Sequence, residues 1–433
     1  MNNLTPPNQS AIYDELEKLK QSFCLETKED KEKFYKKNDV LFAYLSANVF
    51  RLLPQIPYSK HKSIFEKLLF NLQLLTIEEQ NPASFAPHFE IIDKENILQK
   101  AQNKTPFLFC CFHLGSYSLM PTLSTYQNLD FGVLLNKTLN QRKAKLFSEA
   151  HQKLCQQVKK EQKVTLTSKM QLINVEEKTG IWQALRMLKE GKSLIVYADG
   201  NTGIDGVNQK NTIEINFLGE GLQVRQGVAF LSYSCGVPIV PIITSRVEKD
   251  SPSLNRKFEF LPVIYPPNSE KKKSISKEDF GKQAMQKLYS ILEQKISTDT
   301  KQIAKWEGWI FVNKLFTNLQ KPSVLLQKSN ANKTPIDLHQ FYNFNKERFV
   351  LIEKKQNTLF DKYTYRFFPV SDLLYELINY FSTPKKLYLS NESNKNHSLT
   401  DSTLQLSQNK IPVQALKKLI AKNILIPYQE ANN

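Results

Sequence analysis

Short apolar runs typical of buried strands alternate with longer helical segments between residues 106 and 246. The strand-like runs are PFLFCCF, FGVLLN, SLIVYAD and PIVPIITSR, and the segments between them include QRKAKLFSEAHQKLCQQVKK, GIWQALRMLK and VRQGVAFLSYSCG. Strands that alternate with helices of ten or more residues form a mostly parallel sheet flanked by helices. The sequence therefore predicts an α/β domain, with N-terminal helices over residues 11–80.

Two polar side chains stand at the ends of predicted strands. His113 follows the run LFCCF, and Asp199 closes the run SLIVYAD. In sheets of this kind the chemistry collects at the carboxyl ends of the strands. A histidine at such a position acts as a general base when it reaches a substrate hydroxyl or amine. A hydrogen-bonded structural histidine is the other interpretation that the residue alone allows.

The composition changes after about residue 318, which indicates a second, smaller domain. The segment RFVLIEKKQNTLFDKYTYRFFPV predicts a β-hairpin, SDLLYELINYF a capped helix, and PVQALKKLIAKNILIPY a second helix. Two strands with short helices suggest a winged-helix-like α+β module. The predicted domains are an N-terminal helical arm (1–34), the α/β domain (35–318), a linker (319–335) and the small domain (336–433).

The net charge of +17 and the pI near 9.4 favour an acidic partner. Nucleic acid, an anionic membrane surface and an acidic protein all fit this charge. Nucleic acid is the weakest of the three, because the chain has no arginine-rich block and no zinc-ligand spacing. A lysine-rich surface without a dedicated partner is the remaining interpretation.

The cysteine pattern and the chain's start favour a cytoplasmic protein. The five cysteines are scattered and mostly in apolar contexts, as expected for reduced, buried thiols rather than disulfides. The polar start MNNLTPPNQSAIYDELEKLK does not resemble a signal peptide. The run VLFAYLSANVFRLLPQIPY is too short to span a membrane and contains Arg51 and Pro54, so it predicts a buried or interfacial helix.

Several motifs in order resemble the lysophospholipid acyltransferase superfamily, and most closely its lipid A late acyltransferase branch of lauroyl and myristoyl transferases. HLGSYS follows a hydrophobic strand where that branch has a sequence like HFGNWE. Three further stretches match in the same order: ALRMLKEGKSLIVYADGNTG, FLGEGLQVRQGVAFLSYSCGVPIVPIITSR and KWEGWIFVNKLF. The resemblance covers about residues 35–318.

This resemblance implies acyl transfer from a thioester. His113 would take a proton from the acceptor, and main-chain donors near the turn would hold the developing oxyanion. A carboxylate five positions after the histidine would orient the imidazole. By position, Asp199 matches the acidic residue of the third motif, and Gly227 marks a tight helix entry. Gly115, Ser116, Tyr117 and Asn201 are predicted to line the substrate site.

The chain departs from the family at two site positions. The carboxylate position is Ser118, and Asn136 stands where relatives tend to carry an arginine. Either the site is catalytically degenerate and has become a binding scaffold, or another acid such as Asp199 supplies the charge. We therefore assign His113, Ser118 and Asp199 as the catalytic candidates, with both outcomes open.

Other residues are candidates for binding or packing. Arg225 and Arg246 flank the segment GVAFLSYSCGVPIVPI, where they would grip a phosphate of the acyl donor. Trp306 and Trp309 are predicted to pack in the core rather than to line an acyl tunnel. Asp205 is an alternative metal ligand beside Asp199, but turns rich in Gly, Asn and Asp are mostly only turns. We expect no metal.

The tail weakly resembles the small winged-helix peptide binders of ribosomal-peptide biosynthesis, such as the peptide chaperone of pyrroloquinoline quinone assembly. The resemblance rests on FDKYTYRFFPVSDLLYELINYF and ALKKLIAKNIL. It implies docking of an extended peptide on a strand edge. A small domain that only packs on the first is the alternative.

The sequence therefore predicts an acyltransferase-fold protein with no tightly bound cofactor. The co-substrate would be acyl-coenzyme A or an acyl-phosphopantetheine thioester, and the acceptor a hydroxyl or amine of a peptide or carrier-bound intermediate. An acidic carrier protein or peptide is the expected partner. A transient contact with an anionic membrane, through helix 39–54, is a further alternative.

Overall fold

The computed structural model describes nine stretches of the chain: residues 9–24, 27–200, 211–247, 253–297, 300–317, 340–353, 356–386, 403–406 and 409–428. The chain divides into two compact units. The first consists of residues 1–26 and 62–317, and the second of residues 27–61 and 318–433.

Helices and strands alternate along the first unit as the sequence predicts. Its helices are α1 Gln9–Ser22, the main part of α3 Tyr58–Gln80, α4 Pro82–Phe85, α5 Ile97–Gln102, α6 Met120–Tyr126, α7 Lys137–Gln162, α8 Gly180–Lys189, α9 Gly227–Cys235, α10 Lys277–Ile296 and α11 Thr300–Ile303. Its strands are β1 Phe89–Asp93, β2 Leu108–Cys111, β3 Phe131–Leu135, β4 Met170–Asn174, β5 Ser193–Tyr197, β6 Thr212–Phe217, β7 Glu220–Arg225, β8 Ile239–Arg246 and β9 Arg256–Phe260.

Seven strands of this unit form one central sheet in the order β1-β9-β8-β2-β5-β3-β4. Strands β8, β2, β5, β3 and β4 are parallel, while β9 runs antiparallel to β8 and carries β1 parallel to itself. Strands β6 and β7 form a separate hairpin. The predicted α/β fold with a mostly parallel sheet is confirmed.

The central strand β2 lies in the core of this sheet. Its four residues, Leu108 to Cys111, are all 0% exposed. A parallel strand with helices on both faces needs apolar side chains in both directions, so it reads as a continuous apolar run. Since β8, β2 and β5 are parallel neighbours, their carboxyl ends meet at one edge of the sheet. The residues that follow these ends form the candidate site.

The second unit joins an N-terminal helix to the C-terminal residues. Its helices are α2 Lys28–Leu52, α12 Asp372–Tyr380 and α13 Val413–Ala421, and its strands are β10 Phe341–Phe344, β11 Phe349–Ile352, β12 Thr358–Asp361, β13 Arg366–Pro369, β14 Lys385–Lys386, β15 Thr403–Leu406, β16 Asn409–Pro412 and β17 Leu425–Pro427. They form two three-stranded antiparallel sheets, β14-β10-β17 and β11-β12-β13, and the hairpin β15-β16.

This unit differs from the predicted small domain. The predicted hairpin is a three-stranded meander, although the capped helix is correct, with the Ser371 hydroxyl accepting from the Leu374 N–H. The boundary at residue 35 also differs from the observed division, because α2 packs on the meander. Tyr44 contacts Phe360, Phe50 stacks on Tyr363, and the Tyr365 hydroxyl donates to Asn48. Such pairs, more than 300 residues apart, have no signal in the sequence.

The apolar run after residue 40 forms the second half of α2, which ends at Leu52 before Pro54. Most of its apolar side chains are buried, among them Phe42, Leu45 and Val49 at 5% exposure or less, while Leu41 is 36% exposed. Across the described helices, none combines the length and the hydropathy that a bilayer crossing requires.

A buried lysine makes the stability of the second unit depend on pH. Lys362 is 1% exposed, its Nζ donates to the Lys346 carbonyl, and the Tyr58 ring centroid lies 4.1 Å from Nζ. Burial lowers the pKa of Lys362 to about 7, although Glu347 opposes the shift. Between pH 7 and the ordinary lysine pKa, the unfolded chain therefore holds the proton that the folded chain has released, and stability rises with pH.

We expect the free energy of unfolding of this unit to rise by on the order of 3 kcal/mol from pH 7 to pH 10, and Lys362→Met to remove that rise. Calorimetric unfolding at several pH values is the measurement, because all three tryptophans lie outside this unit. The exposed Lys417→Met is the matched control. An equal pH dependence in wild type and Lys362→Met would contradict the prediction.

Candidate active site

The turn after β2 is held in place by the closing segment around Trp306. The Glu307 N–H donates to the His113 carbonyl at 2.9 Å, and the Gly115 N–H donates to the Lys305 carbonyl at 3.1 Å. Gly115 has a φ of +64°, and a Cβ there would lie 2.3 Å from the Thr244 carbonyl oxygen. Only glycine allows the turn to approach β8 so closely.

His113 and Asp199 form a hydrogen-bonded pair at the carboxyl ends of β2 and β5. His113 Nδ1 lies 2.9 Å from Asp199 Oδ1, and the His113 backbone N–H donates to both carboxylate oxygens at 3.0 and 3.1 Å. Asp199 is 0% exposed. Because a carboxylate accepts hydrogen bonds, we assign Nδ1 as the donor, which in a neutral ring places the lone pair on Nε2. This is the tautomer that a general base requires.

A third donor completes the surroundings of Asp199. The indole Nε1–H of Trp306 donates to Asp199 Oδ2 at 2.8 Å, and Trp306 itself is fully buried. These hydrogen bonds offset the cost of burying the polar oxygens of the carboxylate. The carboxylate thus receives donors on both oxygens from two separate parts of the chain.

Aromatic rings surround the imidazole of His113. The ring centroids of Tyr117, Tyr197 and Phe311 lie 4.8, 5.3 and 6.1 Å from that of His113. The Tyr117 hydroxyl donates to Glu307 Oε2 at 2.8 Å. Burial and the Glu307 charge raise the pKa of Tyr117 well above its ordinary value, so this phenol stays a donor at neutral pH.

A buried ionic cluster lies behind the turn. Glu78 of α3 is 0% exposed and accepts from Arg246 at 2.9 and 3.0 Å, from Arg256 at 2.6 Å and from the Ser116 hydroxyl at 2.8 Å. Burial opposes the ionisation of Glu78, but the charges of the two arginines outweigh it and lower its pKa. Glu78 thereby ties α3 to the turn and to β8 and β9.

A narrow cleft opens beside the imidazole. It is lined by Leu68, Asn71, Leu72, Leu75, His113, Gly115, Tyr117, Arg246, Lys305 and Glu307. A larger depression lies where Ile264 pairs with Ile239 at the opposite end of β8, lined by Tyr265, two prolines and Lys287 among others. Its described lining contains no histidine and no carboxylate, so the smaller cleft is the one with catalytic groups.

Residues 63–311 match the family model of the bacterial lipid A biosynthesis acyltransferases, which is more than half of the chain. The chain belongs to this family. The matched region contains His113, Asp199, Trp306 and Glu78. The comparison with curated proteins found no match. Membership of this family indicates acyl transfer as the general activity.

Ser118 does not support the imidazole of this acyltransferase-family chain. The residue is 5% exposed, and its hydroxyl has no hydrogen-bond partner among the described residues. Ser118 lies in the short 3-10 helix Tyr117–Leu119, three residues after the left-handed Gly115. The hydrogen-bond partner of His113 Nδ1 is Asp199 instead.

The residues predicted to line the substrate site separate into two groups. Tyr117, Gly115 and Arg246 line the cleft. Ser116 is fully buried on Glu78 and therefore acts in packing, and the Arg246 guanidinium is bound to Glu78 and Asn71 rather than directed only at a ligand.

The remaining predicted residues lie elsewhere or outside the described part. Arg225 ends β7 in the β6-β7 hairpin, and Asn136 directly follows β3. Gly227 begins α9, but a Cβ there would meet nothing within 4 Å, so the helix entry does not require glycine. Asn201 and Asp205 lie outside the described residues. Among the residues that are described, no cluster of three metal-ligating side chains occurs.

Sequence reasoning missed Glu78, Glu307 and Arg256, and it assigned Trp306 to core packing only. Trp306 and Trp309 are indeed fully buried. The motif KWEGW was the available signal for Trp306 and Glu307, because it matches the family before a basic tail. Nothing near Glu78 in LLTIEEQ distinguishes it from a surface glutamate. None of the five cysteines is in a disulfide; Cys24 is exposed, while Cys110 and Cys111 are buried, which raises the pKa of both thiols.

Removal of the Ser118 hydroxyl should have little effect. We expect Ser118→Ala to keep thioester turnover within about twofold of wild type and to leave stability unchanged or slightly higher, because an unpartnered buried hydroxyl contributes no net hydrogen bond. Thioester consumption and the unfolding midpoint are the measurements. A tenfold loss of turnover in a stable Ser118→Ala protein would restore Ser118 as a supporting group.

Glu78 is expected to be a major determinant of stability in the first unit. Glu78→Gln leaves two buried arginines without their shared anion, and we expect a loss of about 3–5 kcal/mol of unfolding free energy. Urea unfolding followed by tryptophan fluorescence reports on this unit, with the exposed Glu95→Gln as the control. A loss no larger than that of the control would show that the cluster is energetically neutral.

Proposed function

We propose that this chain is an active acyltransferase that uses a thioester donor, with His113 as general base and Asp199 as its orienting carboxylate. The observation that carries the proposal is the 2.9 Å hydrogen bond between His113 Nδ1 and Asp199 Oδ1. It supplies from β5 the negative charge that the turn lacks at Ser118. The donor would be acyl-coenzyme A or an acylated carrier protein, without a tightly bound cofactor.

The pair supports a balanced addition and elimination. His113 Nε2 removes the proton of the acceptor hydroxyl or amine while that oxygen or nitrogen forms a bond to the thioester carbonyl carbon. The tetrahedral intermediate then collapses, the C–S bond breaks, and the imidazolium returns the proton to the leaving thiolate. Asp199 stabilises the imidazolium between these two steps.

A charged group that orients the catalytic histidine has a large effect on rate, which favours an active enzyme over a degenerate one. In serine proteases, replacement of the orienting aspartate by asparagine lowers kcat about 10⁴-fold. If the neutral Ser118 were the only orienting group, we would expect a loss of kcat of the same order. The Asp199 pair supports an active site without the carboxylate at position 118.

The second candidate is a catalytically degenerate scaffold that binds a peptide or carrier protein without turnover. It is favoured by the neutral Asn136 where relatives tend to carry an arginine. It predicts tight binding of a thioester or partner and no consumption. Substitution of His113 would then leave the behaviour of the protein unchanged.

The proposed acceptor and partner are based on the positive net charge of the chain and on the resemblance of its C-terminal segment to peptide-binding domains. The net charge of +17 suits an acidic carrier protein or an acidic peptide. The acceptor would be a hydroxyl or amine on a peptide or on a carrier-bound intermediate. A transient contact with an anionic membrane is the alternative source of negative charge.

The test of the dyad compares wild type, His113→Ala and Asp199→Asn with acyl-coenzyme A and acyl-carrier thioesters. We expect consumption by wild type, a loss of at least about 10³-fold in His113→Ala, and a loss of about 10³- to 10⁴-fold in Asp199→Asn. Thiol release and intact-mass spectrometry of the products are the measurements.

Ser118→Ala is the control for both variants, since it changes a buried side chain of the same turn without touching the dyad. Consumption of every donor at equal rates by wild type and His113→Ala would overturn the proposal. Binding without consumption by any of the proteins would favour the scaffold instead.

A further inference from the structure

The buried side of Asp199 depends on a residue that lies far along the chain. Asp199 Oδ1 faces the imidazole of His113, while Oδ2 accepts the indole N–H of Trp306 at 2.8 Å. The carboxylate is 0% exposed, so no water competes for Oδ2 in this conformation. Oδ2 also accepts the His113 backbone N–H at 3.1 Å, and Trp306 provides the side-chain donor on this oxygen.

We propose that Trp306 is a positioning residue for the general base, acting through Asp199; the inference rests on the proposed function of the His113–Asp199 dyad. Rotation of a carboxylate exchanges its two oxygens and its acceptor directions. A donor fixed on Oδ2 holds Oδ1 against Nδ1, and the proton stays on that nitrogen. Trp306 thus selects the tautomer with the lone pair on Nε2.

The surroundings of Trp306 fix the direction of its N–H. A Cβ added at Gly308 would lie 2.0 Å from the Trp306 ring, so the indole packs flat on a position that only glycine allows. The rings of Phe217 and Trp309 lie 5.5 and 5.0 Å away, in edge contacts. A ring held on these sides cannot turn its N–H away from Asp199.

The backbone of the closing segment around Trp306 is also hydrogen-bonded to the turn that contains His113. Leu114 and Trp306 form an isolated β-bridge, between the Gly115–Lys305 and Glu307–His113 hydrogen bonds. The main chain of Lys305 and Glu307 therefore sets the position of the turn with His113, and the side chain of Trp306 sets the position of Asp199. These three consecutive residues place both partners of the dyad.

Trp309 provides a matched control within the same cluster. It is also 0% exposed and its ring contacts Trp306, but its Nε1–H donates to the Ile303 carbonyl at 2.7 Å. Trp306→Phe and Trp309→Phe remove the same atoms from the same core. Only the first removes a donor from the catalytic carboxylate.

The kinetic test measures release of thiol from lauroyl-coenzyme A, with water as the hydroxyl acceptor of the acyl group, by wild type and both variants, with unfolding midpoints for each protein. We expect kcat to fall about 10- to 100-fold in Trp306→Phe, the range expected for a hydrogen bond to a charged group, and less than about threefold in Trp309→Phe. KM should change little in either. Equal losses of kcat in the two variants would reduce Trp306 to a packing residue.

The spectroscopic test needs no substrate. In ¹⁵N-histidine-labelled protein, the ring-nitrogen signals of His113, identified by their loss in His113→Gln, report which nitrogen carries the proton. Wild type and Trp309→Phe should show the Nδ1–H form, and Trp306→Phe a mixture of the two tautomers. An unchanged Nδ1–H form in folded Trp306→Phe would overturn the inference.

A third variant separates the N–H from the ring. Benzothienylalanine at position 306 keeps the shape of the indole but has sulfur in place of N–H, so it should fold as wild type does and still show the Trp306→Phe kinetics and spectrum. If the tautomer signature appears while His113→Ala is as active as wild type, the positioning is real and the proposed function fails. If His113→Ala is inactive and this variant behaves as wild type, the positioning role fails alone.

Discussion

The burial of one carboxylate is the constraint on which the rest of the site depends. Asp199 has no exposed surface, and a carboxylate removed from water needs hydrogen-bond donors within the protein to replace its hydration. It receives the backbone N–H and Nδ1–H of His113 and the indole N–H of Trp306. The catalytic candidate His113 is thus also one of the groups that make its own counter-charge tenable, so neither residue has its observed role without the other.

A second buried carboxylate does the structural work beside the first. Glu78 holds two arginines that stand opposite each other on β8 and β9, where like charges would repel, and it accepts the hydroxyl of Ser116 in the turn. The two carboxylates hold different parts of the turn. Glu78 binds the Ser116 side chain after His113, and Asp199 binds the His113 ring. The hydroxyl of Ser118 has no hydrogen-bond partner among the described residues.

The sequence was informative where the physics is local or follows from topology. Apolar runs alternating with helices predicted the parallel sheet, and the rule for strand ends brought His113 and Asp199 to the same edge. Ser118 was predicted as a supporting group from its spacing to His113, and its hydroxyl has no hydrogen-bond partner among the described residues. Glu78 and Trp306 act across 168 and 107 residues, on Arg246 and Asp199 respectively, and one sequence has no periodicity that reports such pairs. The same holds for α2 and the meander near residue 360.

The tolerance of the turn for serine follows from the way Asp199 is held. An imidazole needs one acceptor at Nδ1 and one negative charge nearby, and Asp199 supplies both with a single group. A second carboxylate at position 118, which is 5% exposed, would be buried in the same turn and would require hydrogen-bond donors of its own. Once Trp306 fixes Asp199 against the ring, the turn is free of any electrostatic demand at that position. In the proposed mechanism, the negative charge beside the imidazole comes from Asp199, which follows β5, and not from the turn itself.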